Sequence, residues 1–363
     1  MSDASLFDLL RRRIEADGPI TVARYMEAAL THPKFGYYTG RDPLGQDGDF
    51  TTAPEVSQMF GELLGLWCVV NWQQIGAPET FHLVELGPGR GTLMADALRA
   101  AKLMPDFVYA VGVHLIEASP ALREKQKFTL ETTVPGTDVT WHDSFDSVPE
   151  GPLLVLANEF FDALPVRQYQ RADAGWCERL VGLEGDELVF LLSMPMARVP
   201  AIPEALEEAP VGSLFETRPA ADAVAYAVAQ RIARFGGAAA IIDYGHGESA
   251  AGDTLQAVKA HQYHDVLKDP GEADLTAHVD FQTLAEAAED GGAKAHGLVP
   301  QGEFLDRLGL AERARALLQN ATPDQGKEIE AAYKRLIDPE EMGTLFKVLC
   351  LTHPDMPSPP GCE

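Results

Sequence analysis

Three glycines at every second position, Gly87, Gly89 and Gly91, lie in the stretch FHLVELGPGRGTLMADALRA, between an apolar run and a helical pattern. Glycine tolerates positive φ and has no Cβ, so a ligand can approach the backbone of such a turn closely. Open α/β sheets bind ligands at the carboxyl ends of their parallel strands, and this turn follows a predicted strand. The stretch therefore predicts either a ligand-binding turn or a tight turn with a purely structural role.

The spacing of these glycines and a nearby carboxylate indicate the kind of ligand. The dinucleotide fingerprint is G-x-G-x-x-G with an acidic residue roughly 20 positions later and a pyrophosphate on the helix N-terminus. Here the spacing is G-x-G-x-G, and Glu85 lies two residues before the first glycine. A carboxylate in the turn would oppose a pyrophosphate, but it suits a ligand with an ammonium and a sulfonium group. We therefore expect S-adenosylmethionine as cofactor, and NAD-dependent dehydrogenase chemistry is disfavoured.

Polar residues also follow the next two predicted strands. Glu117, in HLIEASP, is placed to accept hydrogen bonds from both ribose hydroxyls, and Asp143 and Ser144, in WHDSF, could contact the adenine edge. Each has an alternative interpretation, since Glu117 could cap the following helix and Asp143 could be an ordinary turn residue. Their joint placement at successive strand ends favours a nucleoside-type cofactor.

The elements that must position these residues alternate between strand and helix from Phe81 onward, a pattern typical of a parallel sheet with crossover helices. The fold class is therefore α/β, with a Rossmann-like, mostly parallel sheet. Predicted strands cover residues 81–86, 111–117, 138–142, 152–158, 238–245 and 344–353. Short antiparallel strands between residues 166 and 193 predict a β-rich insertion. Residues 246–280 read as irregular, and a helix follows around residues 281–289.

The predicted organisation has three parts: a helical N-terminal region over residues 1–80, a main domain over residues 81–353 with an insertion at 166–235, and a flexible tail over 354–363. The glycine-rich, aromatic loop between His32 and Glu55 is long, and long ordered loops are often functional. It could fold over the cofactor and contact it, or it could be a surface loop packed on the first helices. The polar contacts predicted for the first case are Tyr37, Asp49 and Thr51.

Charge and composition narrow the possible partners. Fifty-five acidic residues against 29 basic ones give a formal net charge of −26. This charge repels phosphate backbones and anionic lipid surfaces, so nucleic acid is not an expected partner, whereas a basic substrate would be attracted. No apolar run approaches the roughly 20 residues of a membrane span, and we expect a cytoplasmic bacterial protein without direct membrane insertion.

Cysteines and histidines do not predict a metal site. Cys68, Cys177, Cys350 and Cys362 are scattered, so reduced, mostly structural thiols are expected. His261 and His264, in HQYHD, resemble only half of a metal site, and solvent-exposed or structural histidines are the expected interpretation.

Six sequence blocks together resemble the MidA-type complex I assembly methyltransferases of bacteria and mitochondria: ELGPGRG, THPKFGYY, GDFTTAPEVSQMFGELLGLW, NEFFDALPV, IIDYG and DLTAHVDF. The resemblance covers nearly the whole chain after Ile20. It implies a class I, S-adenosylmethionine-dependent methyltransferase fold with an added N-terminal helical region. For the mitochondrial members it also implies symmetric dimethylation, in the matrix, of an arginine in a large hydrophilic subunit of complex I, so a protein substrate of that kind is the expected partner.

The resemblance assigns positions to the family's motifs. The cofactor turn falls on Glu85 and the three glycines, and the acidic residue after the next strand on Glu117. The fourth-strand motif begins at Asn158, which is implied to contact the cofactor, and runs to Pro165. The N-terminal hallmark falls on residues 48–58.

Two acidic residues just beyond the fourth strand are the candidates for catalysis. Arginine is protonated in proteins, with a pKa of roughly 12.5 to 13.8, so a site that methylates it would hold the guanidinium with carboxylates. Glu159 and Asp162 are placed to do this, and Phe160 and Phe161 could wall the pocket. The alternative is that the two acids begin a helix and the phenylalanines are core residues. The paired-glutamate loop of better-known protein arginine methyltransferases is not found in the sequence.

Other functions remain open at this point. A methyltransferase with a small-molecule acceptor would use the same fold and cofactor. A non-catalytic assembly chaperone could retain the fold and act by contact alone. The sequence leaves the oligomeric state undetermined.

Overall fold

The computed structural model describes residues 5–40, 52–197, 199 and 202–363. The helices are α1 Leu6–Asp17, α2 Val22–Thr31, α3 Tyr37–Gly40, α4 Ala53–Val56, α5 Gln58–Gln74, α6 Thr92–Ala101, α7 Pro105–Ala110, α8 Pro120–Thr133, α9 Pro219–Phe235, α10 Phe281–Asp290, α11 Gln301–Arg307, α12 Leu310–Leu318, α13 Pro323–Ile337 and α14 Met342–Leu345. The strands are β1 Ile20–Thr21, β2 Phe81–Leu86, β3 Val111–Ile116, β4 Val139–His142, β5 Leu153–Asn158, β6 Arg167–Ala172, β7 Gly175–Glu184, β8 Glu187–Leu192, β9 Leu214–Thr217, β10 Gly237–His246, β11 Gln256–Lys259, β12 Gln262–His264, β13 Asp274–Thr276, β14 Val279–Asp280, β15 Lys294–Pro300 and β16 Phe346–Thr352.

The main sheet has the strand order β15–β16–β10–β5–β2–β3–β4. Strands β4, β3, β2, β5 and β10 run parallel to their neighbours in this order, whereas β16 is antiparallel to both β10 and β15. The chain leaves β2 toward β3 and β4 and then returns to β5 on the other side. Such a reversal of strand order opens a crevice at the carboxyl ends of the strands, which is where ligands bind in open α/β sheets. The predicted α/β class is confirmed.

Apolar runs explain why these segments form the centre of the sheet. Every residue of β5 is buried, as is the run Gly237–Asp243 of β10. Near-continuous apolar runs are typical of parallel strands that are covered on both faces. Helix α5 lies against α6 with little space between them, since a Cβ built on Gly65 would lie 2.3 Å from the Ala97 carbonyl oxygen. Glycine therefore allows the two helices to pack closely beside the sheet.

The chain forms two compact units, each built from several segments. The larger unit contains Leu44–Phe161, Ala223–Gly245 and Thr283–Glu363, and therefore the main sheet; the smaller contains Met1–Pro43, Asp162–Asp222 and His246–Gln282, insofar as these residues are described. The smaller unit has an antiparallel sheet of order β1–β7–β6–β9, with β8 on β7, and a second small sheet, β12–β11–β13. Its core joins Leu6, Leu10 and Ile14 of α1 to Val181 and Leu188 of the antiparallel strands.

This division differs from the predicted one. Residues 1–80 do not form one region, because α4 and α5 lie in the larger unit. The predicted insertion at 166–235 contributes to the smaller unit only as far as Asp222. Residues 246–280, predicted to be irregular, contribute β11, β12 and β13 to that unit. The apolar stripe of α1 indicates that one face of this helix is buried. Periodicity does not identify the strands, distant in sequence, on which that face packs.

The end of the chain also differs from expectation. Residues 354–363, predicted to be flexible, pack on the larger unit: Cys362 is buried, and the Trp67 indole donates a hydrogen bond to the Pro360 carbonyl oxygen at 3.1 Å. Cys350 and Cys362, predicted to be reduced, form a disulfide, whereas Cys68 and Cys177 are buried free thiols. No helix in the described ranges is long and apolar enough to span a membrane.

Candidate functional site

The glycine turn lies between the end of β2 and the start of α6. Gly87, Gly89 and Gly91 have φ values of 63°, 53° and 81°, all in the region that favours glycine. A Cβ built on Gly87 would lie 2.8 Å from Cδ2 of Phe160, and one on Gly91 would lie 3.2 Å from Cα of Gln126. The turn therefore has the conformation predicted for it, and a larger residue at either of these two positions would crowd Phe160 or Gln126.

Glu85 is a buried acid in β2, two residues before the turn. Its carboxylate receives a hydrogen bond from the backbone of Met94, but among the described residues its Oε2 atom has no partner. Burial raises the pKa of Glu85 to about 8, and the Met94 hydrogen bond offsets only part of this effect. A cation bound beside such a carboxylate would favour the ionised form and supply the missing interaction.

Glu117 follows β3 and makes the capping contact that was one of the two interpretations offered for it. Its Oε1 atom accepts a hydrogen bond from Ser119 N at 2.7 Å, so it does stabilise the start of α8. Its Oε2 atom accepts one from Nε2 of Gln126 at 3.1 Å. Burial raises the pKa of Glu117. Each carboxylate oxygen can accept more than one hydrogen bond, so the capping contacts leave capacity for a ligand's hydroxyl groups.

Gln126, on α8, connects the turn to the neighbouring strands and was not predicted. Its Nε2 atom donates to the Gly89 carbonyl oxygen at 2.8 Å, and its Oε1 atom accepts from the Trp141 indole at 2.8 Å. Its side chain is completely buried. The one signal in the sequence is position, because Gln126 lies between Leu122 and Leu130 at intervals of four residues, on the buried face of the helix.

Asp143 and Ser144, which follow β4, are both exposed. Asp143 forms an ion pair with Arg123 at 2.5 Å, and Nε of Arg123 also donates to the Glu117 carbonyl oxygen at 2.7 Å. Ser144 precedes the 3-10 turn Phe145–Ser147. Arg123 thus holds the Asp143 carboxylate near the backbone of Glu117, and Ser144 has the geometry of a turn residue.

At the end of β5, Asn158 is the last strand residue and Glu159 has an unusual backbone conformation. Glu159 has a φ of 50°, and its amide donates to the Ile242 carbonyl oxygen at 2.9 Å. Its Oε1 atom accepts from Ala53 N at 3.2 Å and from Nδ2 of Asn158 at 3.1 Å. Asn158 is buried, and its Oδ1 atom has no partner within the described part of the chain. A left-handed non-glycine residue costs of order 1–3 kcal/mol, and such strain is concentrated at functional sites.

The two phenylalanines that follow have different surroundings. The Phe160 ring lies against Gly87, whereas Phe161 is buried, with a ring centroid 5.3 Å from that of Phe160. The Phe161 amide donates to Oδ2 of Asp243 at 3.0 Å, and Asp243 is itself completely buried in β10. Asp243, part of the IIDYG block, therefore fixes the chain after β5, a role that sequence reasoning did not assign to it.

Asp162 belongs to the smaller unit, so the structure assigns Glu159 and Asp162 to different units. The Asp162 side chain is buried, and its carbonyl oxygen accepts a hydrogen bond from Ala277 N at 3.0 Å. Residues 159–165 are not helical. The alternative that these two acids begin a helix is therefore wrong.

Tyr37 is completely buried in the apolar core of the smaller unit, which favours packing over a polar lid contact. Asp49 and Thr51 lie outside the described residues. His264 lies 3.3 Å from the Asp269 carboxylate, and His261 is exposed. The described ranges contain no group of three or more side chains that could hold a metal ion.

Within its described residues, the larger unit thus presents a turn with three glycines at positive φ, a buried carboxylate oxygen and a buried amide oxygen without partners, and a second carboxylate just after the neighbouring strand. A ligand that carries a cationic amino-acid part and a ribose fits this set of groups. The carboxylates would pair with the cation and accept hydrogen bonds from the hydroxyls. A pyrophosphate does not fit beside Glu85.

Known proteins with similar sequences and structures include methyltransferases. A family model with the description "Putative S-adenosyl-L-methionine-dependent methyltransferase" matches residues 63–299. The mitochondrial protein arginine methyltransferase NDUFAF7 of Homo sapiens is 38% identical, over 94% of this chain and 82% of that protein, and its Drosophila melanogaster homolog is 41% identical, over 96% and 84%. A Burkholderia thailandensis crystal structure with bound S-adenosyl-homocysteine has a TM-score of 0.86 and 31% identity, over 98% of this chain and 94% of that one.

Proposed function

This chain belongs to the S-adenosyl-L-methionine-dependent methyltransferase family that includes the NDUFAF7 proteins, and we propose that it is a protein arginine methyltransferase. The observation that carries the proposal is the buried Glu85 carboxyl with an unpartnered oxygen beside the glycine turn. The names of the relatives supply the acceptor, since they are protein arginine methyltransferases. By the sequence resemblance, the substrate is a hydrophilic subunit of complex I, and the protein acts in the bacterial cytoplasm.

We assign the cofactor-binding residues as follows. Glu85 pairs with the cationic amino-acid part of the cofactor, and the turn from Gly87 to Gly91 allows close approach of its backbone. Glu117 accepts hydrogen bonds from the ribose hydroxyls, and Asp143, held by Arg123, lies on the adenine side. Asn158 offers its Oδ1 atom. S-adenosylmethionine, when bound, supplies an electrophilic methyl group on a sulfonium.

We assign Glu159, in the larger unit, the role of holding the guanidinium of the acceptor arginine. Its carboxylate is fixed by Ala53 N and by Asn158, so it can hold a guanidinium without a large loss of side-chain entropy. Pairing with a carboxylate localises the positive charge on two guanidinium nitrogens, which leaves the third better placed to attack the methyl group. Transfer would form an N–C bond, break the sulfonium S–C bond to release S-adenosylhomocysteine, and release one guanidinium N–H proton to solvent. Asp162 is the second acidic candidate that the sequence offers for this role.

Two measurements test this function. Calorimetry with S-adenosylhomocysteine should show binding, and Glu85→Gln, which keeps the shape of the side chain, should weaken it by at least about tenfold. Transfer of label from S-adenosylmethionine to the purified complex I subunit should occur on arginine. With Glu159→Gln this transfer should fall by at least about a hundredfold, while the Kd for S-adenosylhomocysteine stays the same.

The outcomes distinguish the alternatives. If the well-folded protein gives no heat of binding with S-adenosylhomocysteine, the methyltransferase function is excluded. Binding without transfer to any arginine would remove the protein substrate, and activity with a protein-free metabolite extract would then identify a small-molecule acceptor. If a Gly87→Val variant that has lost cofactor binding still supports complex I assembly, the protein acts as a chaperone.

A further inference from the structure

The side-chain amide of Gln126 is bonded at both ends to parts of the candidate cofactor site. Its nitrogen donates to the Gly89 carbonyl oxygen at 2.8 Å and to the Glu117 carboxylate at 3.1 Å. Its oxygen accepts from the Trp141 indole nitrogen at 2.8 Å. None of the Gln126 side chain is exposed to solvent. All the donors of one buried amide are therefore used to join the glycine turn, the carboxylate after β3, and β4.

Only one orientation of this amide satisfies its partners. A carbonyl oxygen and a carboxylate both accept hydrogen bonds, so they require the NH₂ group, whereas an indole nitrogen can only donate and requires the oxygen. A flip of the amide would bring its oxygen against two acceptors and its NH₂ group against a donor. Because the site is buried, each mismatched group would lose its hydrogen bond without replacement by water.

We propose that Gln126 is a positioning residue for cofactor binding and that Trp141 fixes its orientation. The bond to the Gly89 carbonyl sets the plane of the peptide between Gly89 and Arg90, since this unit is planar, and so aims the Arg90 N–H away from Gln126. The bond to Glu117 sets the rotamer of the carboxylate assigned to the ribose. A Cβ on Gly91 would also lie 3.2 Å from Cα of Gln126, a tight contact, so this glycine lets α8 approach the turn closely. The proposal rests on the cofactor placement described under the proposed function and extends it to residues that do not touch the cofactor.

The first test is Gln126→Glu, which preserves the shape of the side chain. At pH 8.5 the introduced carboxylate donates no hydrogen bond and faces two acceptors, so the Kd for S-adenosylhomocysteine should rise at least about tenfold over the wild-type value. As the pH is lowered to 5.5, the carboxyl gains a proton that it can donate, and the ratio of the variant's Kd to the wild-type Kd should decrease toward 1. Gln230→Glu is the matched control, because Gln230 is exposed on α9 and its substitution should leave the ratio near 1 at every pH.

The second test removes the orienting donor. Trp141→Phe should raise the Kd about fivefold, the effect of one hydrogen bond, whereas the control Trp72→Phe, which removes an indole bond to the Pro78 carbonyl at 3.1 Å, should lower the melting temperature alone. Since Trp141 acts through Gln126, the double variant Trp141→Phe, Gln126→Leu should bind no more weakly than Gln126→Leu. If Gln126→Glu does not fold, the Kd of Trp141→Phe for S-adenosylhomocysteine tests the proposal by itself, and an unchanged Kd would contradict it.

The outcomes distinguish a failure of this proposal from a failure of the proposed function on which it rests. If the wild-type protein does not bind S-adenosylhomocysteine, the proposed function fails. If the wild type binds and a folded Gln126→Glu variant binds equally well at every pH, Gln126 does not position the site. If the effects of Trp141→Phe and Gln126→Leu add, Trp141 does not act through Gln126.

Discussion

The Glu85 carboxyl has opposite effects on stability and on ligand binding. Because the pKa of Glu85 is raised in the folded state, the folded protein is more stable when this carboxyl is protonated. This contribution to the free energy of unfolding is fully present below the unfolded-state pKa of 4.5 and is lost as pH rises through about 8. The ligand-free protein therefore retains a buried, poorly solvated carboxyl. A bound cation would offset the loss of stability that comes with ionising this buried carboxyl, because it favours the ionised form.

We expect Glu85→Gln to stabilise the ligand-free protein above pH 8, by at least about 1 kcal/mol or about 2 °C in melting temperature. The difference from the wild type should vanish near pH 4.5, where both side chains are neutral. Thermal melts without ligand over this pH range provide the measurement. A variant that is less stable than the wild type at pH 8.5 would show that the Oε2 atom of Glu85 has a stabilising partner inside the protein.

The strand-to-helix turn is an element whose backbone and surroundings both require glycine. Gly87 and Gly185 have similar φ values, 63° and 61°, but a Cβ at Gly185 would meet nothing within 4 Å, whereas at Gly87 it would meet the Phe160 ring. The two positions therefore separate the cost of the backbone conformation from the cost of crowding.

Gly185→Ala should lower the free energy of unfolding by about 1 kcal/mol, the cost of an alanine in the left-handed region. Gly87→Ala should lower it by more and should also weaken S-adenosylhomocysteine binding, whereas Gly185→Ala should leave binding unchanged. Denaturant unfolding and calorimetry on both variants provide the comparison. Equal losses of stability would mean that the Phe160 ring moves aside freely.

The neighbouring strands β2, β3 and β4 carry a chain of hydrogen-bonded histidines. Nδ1 of His82 lies 2.9 Å from Nε2 of His114, whose Nδ1 lies 2.9 Å from Nε2 of His142. Nδ1 of His142 lies 2.9 Å from the Ser147 hydroxyl, and this hydroxyl donates a hydrogen bond to the Ser144 carbonyl oxygen. Burial lowers the pKa of all three histidines, and that of His114 to about 4. Between pH 6.5 and about 4 the unfolded chain therefore binds a proton that folded His114 does not.

Stability should accordingly rise with pH over this window and fall as the solution is made more acidic. The folded-state pKa of His114 can be followed by NMR of its ring, which should titrate near pH 4 or not before acid unfolding. A His114 titration at pH 6.5 would contradict the assignment of neutral, mutually bonded rings.

At the scale of the whole molecule, the net charge of −26 acts on any charged substrate. Association of a basic partner is accelerated by such a field, and salt screens it with a Debye length of about 8 Å at 0.15 M. The acceptor and the cofactor should therefore respond differently to salt.

We expect the KM for an arginine-containing substrate to rise several-fold between about 0.05 and 0.5 M salt. The Kd for S-adenosylhomocysteine should change less, because the contact with Glu85 is buried and buried pairs are screened weakly. Steady-state kinetics and calorimetry in the same buffers test this. A KM independent of salt would argue against a basic acceptor.

The sequence by itself determined the parallel strands, the glycine turn and the acids next to the strand ends, because strand periodicity, turn chemistry and chain order are local properties. Phe81–Leu86 and Leu153–Asn158 formed as strands where apolar runs predicted them, and the glycines took positive φ values. Only the tertiary structure showed that Gln126 bonds Gly89 and Trp141, that the strands from Arg167 to Leu192 form a unit with α1, and that Cys362 pairs with Cys350. These contacts join residues that are at least 12 positions apart in the sequence, and their partners follow from side-chain geometry once the sheet has assembled.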